Sequence, residues 1–171
     1  MNRFVSLAQE HLPRCLDKHA ATPRVEMPPS WMKSDPNFVA SFDLSCRCGN
    51  KTLQVTGIPD EELGLYSPIG TRCTVCGSRE LLFDVLKHGH DVELGASSGY
   101  GAIDGEIRPL PCSSCGNAEF SVLPWFTYQF EPRDLADIAR TEISNYFDGF
   151  GIDLICVRCK TVNYVGQYEC A

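Results

Sequence analysis

Alternating apolar and polar residues predict short β-strands along much of the chain. The segments FDLSC (residues 42–46) and TLQVTG (52–57) place apolar side chains at every second position, which is the period of residues that share one face of a strand. The glycine-containing turn CRCG lies between them, so we predict a hairpin whose turn carries this motif. The same pattern predicts further strands in IDLIC (152–156) and TVNYVGQYE (161–169).

Two segments have the spacing of helices instead. Asp134 and Asp137 occupy positions that approximate a capping box, and Gly149 follows the apolar run, so the pattern predicts an amphipathic helix over 134–147. Its apolar face would contain Leu135, Ile138, Ala139, Ile143, Tyr146 and Phe147. Residues 4–20 are predicted to form an N-terminal helix that Pro13 begins or kinks.

A short motif occurs twice. Cys48-Gly49-Asn50 is followed by Leu53 and Val55, and Cys115-Gly116-Asn117 is followed by Phe120 and Val122. Each copy combines a close cysteine pair, a glycine turn and an alternating strand, and each is followed by a CxxC pair further along the chain. We interpret the repeat as an internal duplication. The second copy contains the predicted helix where the first has only a loop.

The repeat divides the chain into four parts. Residues 1–37 are predicted to be an N-terminal helix and a proline-rich arm, and residues 91–111 a glycine-rich connector. Residues 38–90 and 112–171 are predicted to be two zinc-ribbon-like units. The predicted fold class is therefore α+β and mostly antiparallel β, with an N-terminal helix and one inserted helix.

The cysteines are the main candidates for chemistry. Eight of the ten fall into four close pairs: Cys46 and Cys48, Cys73 and Cys76, Cys112 and Cys115, and Cys156 and Cys159. The N-terminal stretch lacks the hydrophobic core of a secretory signal, so such pairs indicate metal ligands rather than disulfides. Two pairs complete a tetrahedron, and we predict two structural zinc ions. Reduced core cysteines without metal are the alternative.

The paired motifs CRCG/CTVCG and CSSCG/CVRCK resemble zinc-ribbon modules, which are small β-hairpin folds around a four-cysteine zinc site. The first pair departs from the usual CxxC spacing because it is CxC. The run SPIGTRCTVCGSRELLFDVLKHGHD also resembles uncharacterised bacterial proteins in which a CxxC is followed by LFD and HGYD. His90 stands where those proteins have tyrosine, and this resemblance implies no particular activity.

Charge limits the classes of partner. The chain has 171 residues and a formal net charge of −7, and eight thiolates with two zinc ions would take this to about −11. Residues 91–130 contain five acidic residues and only one arginine. A basic protein partner is therefore favoured over nucleic acid, whose binding requires lysine and arginine. The absence of a long apolar run excludes a membrane span, and we expect a cytoplasmic protein.

Three functions remain open at this stage. The first is a non-enzymatic, zinc-stabilised protein that binds another protein, in its sharpest form a bacterial toxin-neutralising (immunity-type) protein. The second is a nucleic-acid-associated zinc-ribbon protein, which would need Arg47, Lys51, Arg72 and Arg79 on one face.

The third alternative is a hydrolase-type enzyme that uses His88, His90 and Asp91, because residues two apart on a strand face the same way. A four-cysteine zinc site is closed and serves folding, so we predict no catalytic residue at the metals. His11, Cys15 and His19 have helical spacing, but Pro13 interrupts it and no fourth ligand is near in sequence, so we favour a solvated helix face over a third metal site.

Overall fold

The computed structural model describes residues 12–31, 39–60, 65–88, 105–128, 147 and 149–169. These residues form nine strands: β1 (Ala20–Pro23), β2 (Val39–Ser45), β3 (Leu53–Asp60), β4 (Leu65–Cys73), β5 (Arg79–Phe83), β6 (Arg108–Pro109), β7 (Glu119–Thr127), β8 (Gly149–Cys156) and β9 (Val162–Glu169). Their helical structure is limited to two 3-10 helices, Arg14–Leu16 and Pro29–Trp31, and one α-helix, α1 (Val85–His88).

All nine strands belong to one antiparallel sheet. Its main path runs β1-β2-β7-β3-β4-β5, with β6 paired to β3, β8 paired to β7 and β9 paired to β8. Strand β7 is the centre because it pairs with β8 along one edge and with both β2 and β3 along the other. Strands from the predicted units 38–90 and 112–171 therefore share this sheet, while the predicted domain boundaries themselves stay a prediction.

Strands β2 and β3 do not form the predicted hairpin. Leu44 in β2 lies opposite Val122, and Leu53 in β3 lies opposite Phe120. Strands β2 and β3 therefore pair with the same edge of β7, one after the other, and only Ser121 of β7 separates the two paired stretches. Residues 45–52 form the connection between them. The CRCG motif is a loop between two strands that run in the same direction. Alternation could not reveal this, because it marks which residues face the core and not which strand is the neighbour.

The second copy of the repeat is arranged in the same way against the first. In β6, Pro109 lies opposite Thr56 of β3. The turn with the cysteine pair at 112–115 separates β6 from β7, and we call each such cysteine-containing turn a knuckle. The pair Leu53 and Phe120, where β3 meets β7, consists of equivalent residues of the two CGN motifs. The two copies consequently face each other across an approximate two-fold axis through this pair.

Aromatic side chains fill the core on both sides of β7 and β8. Phe83 of β5 stacks on Phe150 of β8 with ring centroids 3.9 Å apart, and Phe126 packs edge-on against Phe147 at 4.9 Å. Trp125 and Tyr128 are completely buried. This part of the aromatic run 125–130 is therefore core and cannot stack on nucleic-acid bases from solvent.

The helices of the predicted fold class are wrong where the structure describes them. Between Leu12 and His19 the chain forms only the three-residue 3-10 helix, and β1 begins at Ala20. Pro13 lacks the N–H of a helix interior, Cys15 and Leu16 are buried in the core, and β1 pairs with β2. The class is thus mainly antiparallel β rather than α+β. The predicted helix 134–147 lies outside the described residues except for Phe147, which is not helical.

Membrane spanning by a helix finds no support: none of the helices in the described segments has the length and apolar character that a bilayer requires.

Candidate metal centres

Eight cysteines form two compact groups of four, with all sulfur atoms of a group within 4.8 Å of one another. The first group is Cys46, Cys48, Cys73 and Cys76, and the second is Cys112, Cys115, Cys156 and Cys159. Each group contains the same two cysteine pairs that the sequence analysis assigns to one unit. Two of the Sγ–Sγ distances in each group are 3.5 Å and 3.6 Å. These exceed the ~2.05 Å of a disulfide bond, so the sulfurs are not covalently joined.

The sulfur geometry fits a tetrahedral metal. Zinc–sulfur bonds of about 2.3 Å in a regular tetrahedron place the sulfurs about 3.8 Å apart, close to the observed separations. Both groups can therefore hold a metal ion with four thiolate ligands. Thiolates are soft ligands that select zinc or iron rather than magnesium or calcium.

The CxxC knuckles share one backbone structure. In the knuckle that begins at Cys112, the N–H of Cys112 donates to the carbonyl of Asn117 at 2.7 Å, and the N–H of Gly116 donates to the carbonyl of Cys112 at 2.9 Å. The knuckles that begin at Cys73 and Cys156 repeat both bonds. This turn requires a positive φ at its fifth residue, which is Gly77, Gly116 or Lys160 in the three cases.

The CxC knuckle forms the same two backbone hydrogen bonds in a turn that is one residue shorter. Gly49 N–H donates to the carbonyl of Cys46 at 2.8 Å, Cys46 N–H donates to the carbonyl of Asn50 at 2.9 Å, and Gly49 has a φ of 88°. The first group nevertheless reaches the same sulfur separations as the second. The unusual spacing is therefore compatible with a four-sulfur site.

An asparagine of each CGN motif supports its sulfur group. Asn50 donates through Nδ2 to the carbonyl of Thr52 at 2.5 Å and to Sγ of Cys73 at 3.5 Å. Asn117 donates in the same way to the carbonyl of Glu119 at 3.0 Å and to Sγ of Cys156 at 3.6 Å. Sequence reasoning identified the repeat but assigned no role to its asparagine. Such second-layer contacts orient ligands and offset thiolate charge.

Two thiols in each group have a lowered pKa, namely Cys73 and Cys76 in the first group and Cys112 and Cys156 in the second. Hydrogen bonds from backbone N–H groups, first that of Cys76 and then that of Val75, outweigh burial and lower the pKa of Cys73 to about 5. For Cys156 burial is the largest single effect and raises the pKa, but the N–H groups of Cys159 and Arg158 help to bring it down to about 6. Cys73 and Cys156 are the equivalent first cysteines of their CxxC pairs.

Another thiol in each group resists ionisation. The backbone N–H of Asn50 lowers the pKa of Cys48, but the neighbouring thiols of Cys46 and Cys73 raise it to about 12 overall. Cys115 reaches about 12 in the same way, against the N–H of Asn117, through burial and its neighbouring thiols. Four thiolates therefore do not coexist without a cation, and a divalent metal would displace the remaining protons on binding.

The histidines give no catalytic arrangement among the described residues. Nδ1 of His88 accepts the backbone N–H of Asp84 at 3.0 Å, its ring packs on Phe83, and burial lowers its pKa. This bond closes the single turn of α1, which is a structural role. The proposed partners His90 and Asp91 lie outside the described residues.

Neither the favoured solvated helix face nor the alternative third metal site at His11, Cys15 and His19 is found within the described segments. The ring nitrogen Nε2 of His19 lies 2.8 Å from the hydroxyl of Thr71, and the residue is 7% exposed. Burial is the main reason that the pKa of His19 falls to about 4. Cys15 is buried in the hydrophobic core, and His11 lies outside the described residues. The two groups above are the metal-ligand clusters found in this part of the chain.

The basic residues required for nucleic-acid binding do not converge on one cavity. The guanidinium of Arg47 donates to the carbonyl of Asp17 at 2.6 Å and lines a small cavity that also contains His19. Arg72 and Arg79 line a different groove. The described hydrogen bonds to cluster sulfurs come from asparagine, hydroxyl and backbone groups rather than from these cations.

Comparison with family models, with curated proteins and with solved structures finds no match to this chain. Fold and site together define a class: a mainly antiparallel β protein with two four-cysteine clusters that can bind metal ions.

Proposed function

We propose that this protein is a non-enzymatic structural metalloprotein, in which two zinc ions brace one β-sheet that serves to bind another protein. The observation that carries the zinc role is the pair of four-sulfur clusters with near-tetrahedral spacing. Four protein ligands fill a tetrahedral site and leave no open position for water or substrate. A structural role suits such a closed site better than a catalytic one.

The connectivity explains what the metals would stabilise. The first cluster joins the loop between β2 and β3 to the turn between β4 and β5, and the second joins the loop between β6 and β7 to the turn between β8 and β9. Each metal would therefore cross-link two loops distant in sequence. Binding free energy of this kind contributes directly to folding.

Native mass spectrometry of the purified chain tests the metal proposal. We expect a mass that corresponds to two zinc ions, and a colourless protein, since iron bound to thiolates absorbs visible light. Cys76→Ser and Cys159→Ser should each lower the metal content by one ion, whereas Cys170→Ser, which changes a cysteine outside the four close pairs of the sequence, should retain both. A folded protein with eight reactive thiols and no metal would overturn the proposal.

The net charge supports a basic protein as the partner. Of the 22 acidic residues, twelve lie outside the described residues, whereas only four of the 15 lysine and arginine residues do. The excess of acidic over basic residues therefore lies in the segments of the sequence outside the described residues, and not in the strands of the sheet. Opposite charge would accelerate encounter with a basic partner and make binding sensitive to salt.

Affinity capture from the source cell tests this second part of the proposal. We expect a basic protein whose capture weakens as salt rises, and neutralisation of its toxicity would establish the immunity-type role. Capture of DNA or RNA alone would instead favour the nucleic-acid alternative. The zinc content of the protein used for capture should be measured as well. If both zinc ions are present and no basic protein is captured, the partner proposal fails while the metal proposal stands.

A further inference from the structure

A groove of about 460 Å³ crosses the outer face of β3, β4 and β5, remote from the aromatic core. Its apolar lining includes Gly70, Leu81, Ile107 and Pro109, and the side chain of Ile107 is largely exposed. The volume lies within the range of small-molecule sites, about 300–1,000 Å³. The groove is thus large enough for a small organic ligand.

Two arginines stand side by side in this groove. Arg72 of β4 and Arg79 of β5 are directly opposite each other in the strand register, so their side chains lie on the same face. Like charges at directly opposed positions destabilise a sheet. Neither guanidinium makes a hydrogen bond or an ion pair with any of the described residues. An anion between them would relieve this repulsion.

An acidic residue limits the size of that anion on one side. Glu119 lies opposite Gln54, which is itself opposite Arg72 in the next strand. Glu80 follows Arg79 in β5, so its side chain points to the other face of the sheet, where it lines the cavity that contains His19. The positive region is therefore one arginine pair wide and has Glu119 on one side. A polyanion such as nucleic acid would extend towards Glu119, whereas one carboxylate would meet only the guanidinium groups.

We propose that this groove binds a small amphiphilic carboxylate, with its carboxylate between Arg72 and Arg79 and its apolar part against Leu81, Ile107 and Pro109. Planar guanidinium groups bind carboxylates through paired hydrogen bonds. The apolar lining provides burial for a hydrocarbon chain. This activity goes beyond the structural metal role and does not depend on a protein partner.

Titration of the zinc-loaded, ¹⁵N-labelled protein with hexanoate tests the proposal. We expect saturable amide shifts centred on Gly70, Arg72 and Leu81, and binding at least tenfold weaker for acetate, which lacks the apolar chain, and for hexanol, which lacks the charge. Arg72→Gln and Arg79→Gln should each weaken hexanoate binding at least tenfold. The matched control Arg14→Gln removes the same charge from an exposed arginine outside the groove and the metal clusters, and should bind as the wild type does.

Thermal unfolding of the same variants separates binding from folding. Because the substitution removes a like-charge pair, Arg72→Gln should retain or raise the midpoint while it loses binding. The proposal is overturned if hexanoate gives no saturable shift, if hexanol binds equally well, or if inorganic phosphate binds more tightly than hexanoate. Equal loss of binding in Arg14→Gln would also overturn it, since the effect would then be one of net charge.

Discussion

At the scale of single residues, Lys160 occupies a position that the other knuckles fill with glycine. Its φ is 64°, and the equivalent Gly77 and Gly116 have φ values of 75° and 70°. A side chain in this left-handed region costs about 1 kcal/mol relative to ordinary backbone. The Nζ atom of Lys160 donates to the carbonyl of Val157 at 2.9 Å, which offsets part of that cost.

Lys160→Gly should therefore stabilise the zinc-loaded protein by roughly 0.5–1 kcal/mol, measured as a higher unfolding midpoint at fixed zinc concentration. Lys160→Ala is the matched control, because it removes the same hydrogen bond but keeps the left-handed strain. It should be less stable than both the wild type and the glycine variant. A glycine variant no more stable than the alanine variant would show that φ is not the limiting factor.

His19 should make stability fall in mild acid. Its pKa is about 4 in the folded protein and about 6.5 in an unfolded chain. Between these pH values only the unfolded state takes up the proton, so the stabilisation is complete above pH ~6.5 and is lost as pH falls towards 4. The loss amounts to roughly 3 kcal/mol.

Unfolding free energies of the wild type and His19→Gln between pH 7 and pH 4 measure this effect. Glutamine retains a hydrogen-bonding group for Thr71 but does not titrate, so its stability should fall less steeply with pH. Both proteins lose metal as their thiolates become protonated, and the difference between the two curves isolates His19. Parallel curves would contradict the assignment.

At the scale of elements, each sulfur group depends on the asparagine of its CGN motif. Asn50→Ala removes the Nδ2 donor to Cys73, and Asn117→Ala removes the equivalent donor to Cys156. We expect each variant to release one of its two metal ions 10- to 100-fold faster to a chelator, while the other ion leaves at the wild-type rate. Chelator kinetics followed by native mass spectrometry measure both. Equal acceleration at both sites would indicate a global loss of stability.

The β8 strand depends on close contact with β7. Gly151 lies opposite Trp125, and a Cβ atom at position 151 would overlap the indole ring. Gly151→Ala should destabilise the protein by about 1–3 kcal/mol through overpacking. In a Trp125→Leu background the same substitution should cost less, because the ring is gone. A double-mutant cycle with no coupling between the two positions would refute this contact as the cause.

At the scale of the whole molecule, the sheet joins both copies of the repeat. Strand β2 pairs with β1 and β7, and both of these partners lie outside residues 38–90. A fragment of residues 38–90 with zinc should therefore leave β2 unpaired and give a poorly dispersed NMR spectrum, unlike the full chain. A well-dispersed fragment spectrum would instead support the predicted boundary between independent units.

Prediction from the sequence succeeded where the chemistry is local. Four close cysteine pairs, their glycine turns and the CGN repeat are contained in short segments, so their grouping into two candidate metal sites could be inferred from spacing alone. The strands were visible for the same reason, because alternation within β3 marks Leu53 and Val55 as buried side chains. The asparagine contacts to sulfur were missed, although the repeat itself contained the signal.

Tertiary structure decided the features that depend on distant partners. Only the fold shows that CRCG interrupts one edge of β7 instead of closing a hairpin, that the N-terminal segment ends in an edge strand and not in a helix, and that Arg72 and Arg79 stand side by side. The physical reason is that ligand spacing and alternation are properties of a segment. Strand neighbours and shared faces are set by the energy of packing the whole chain.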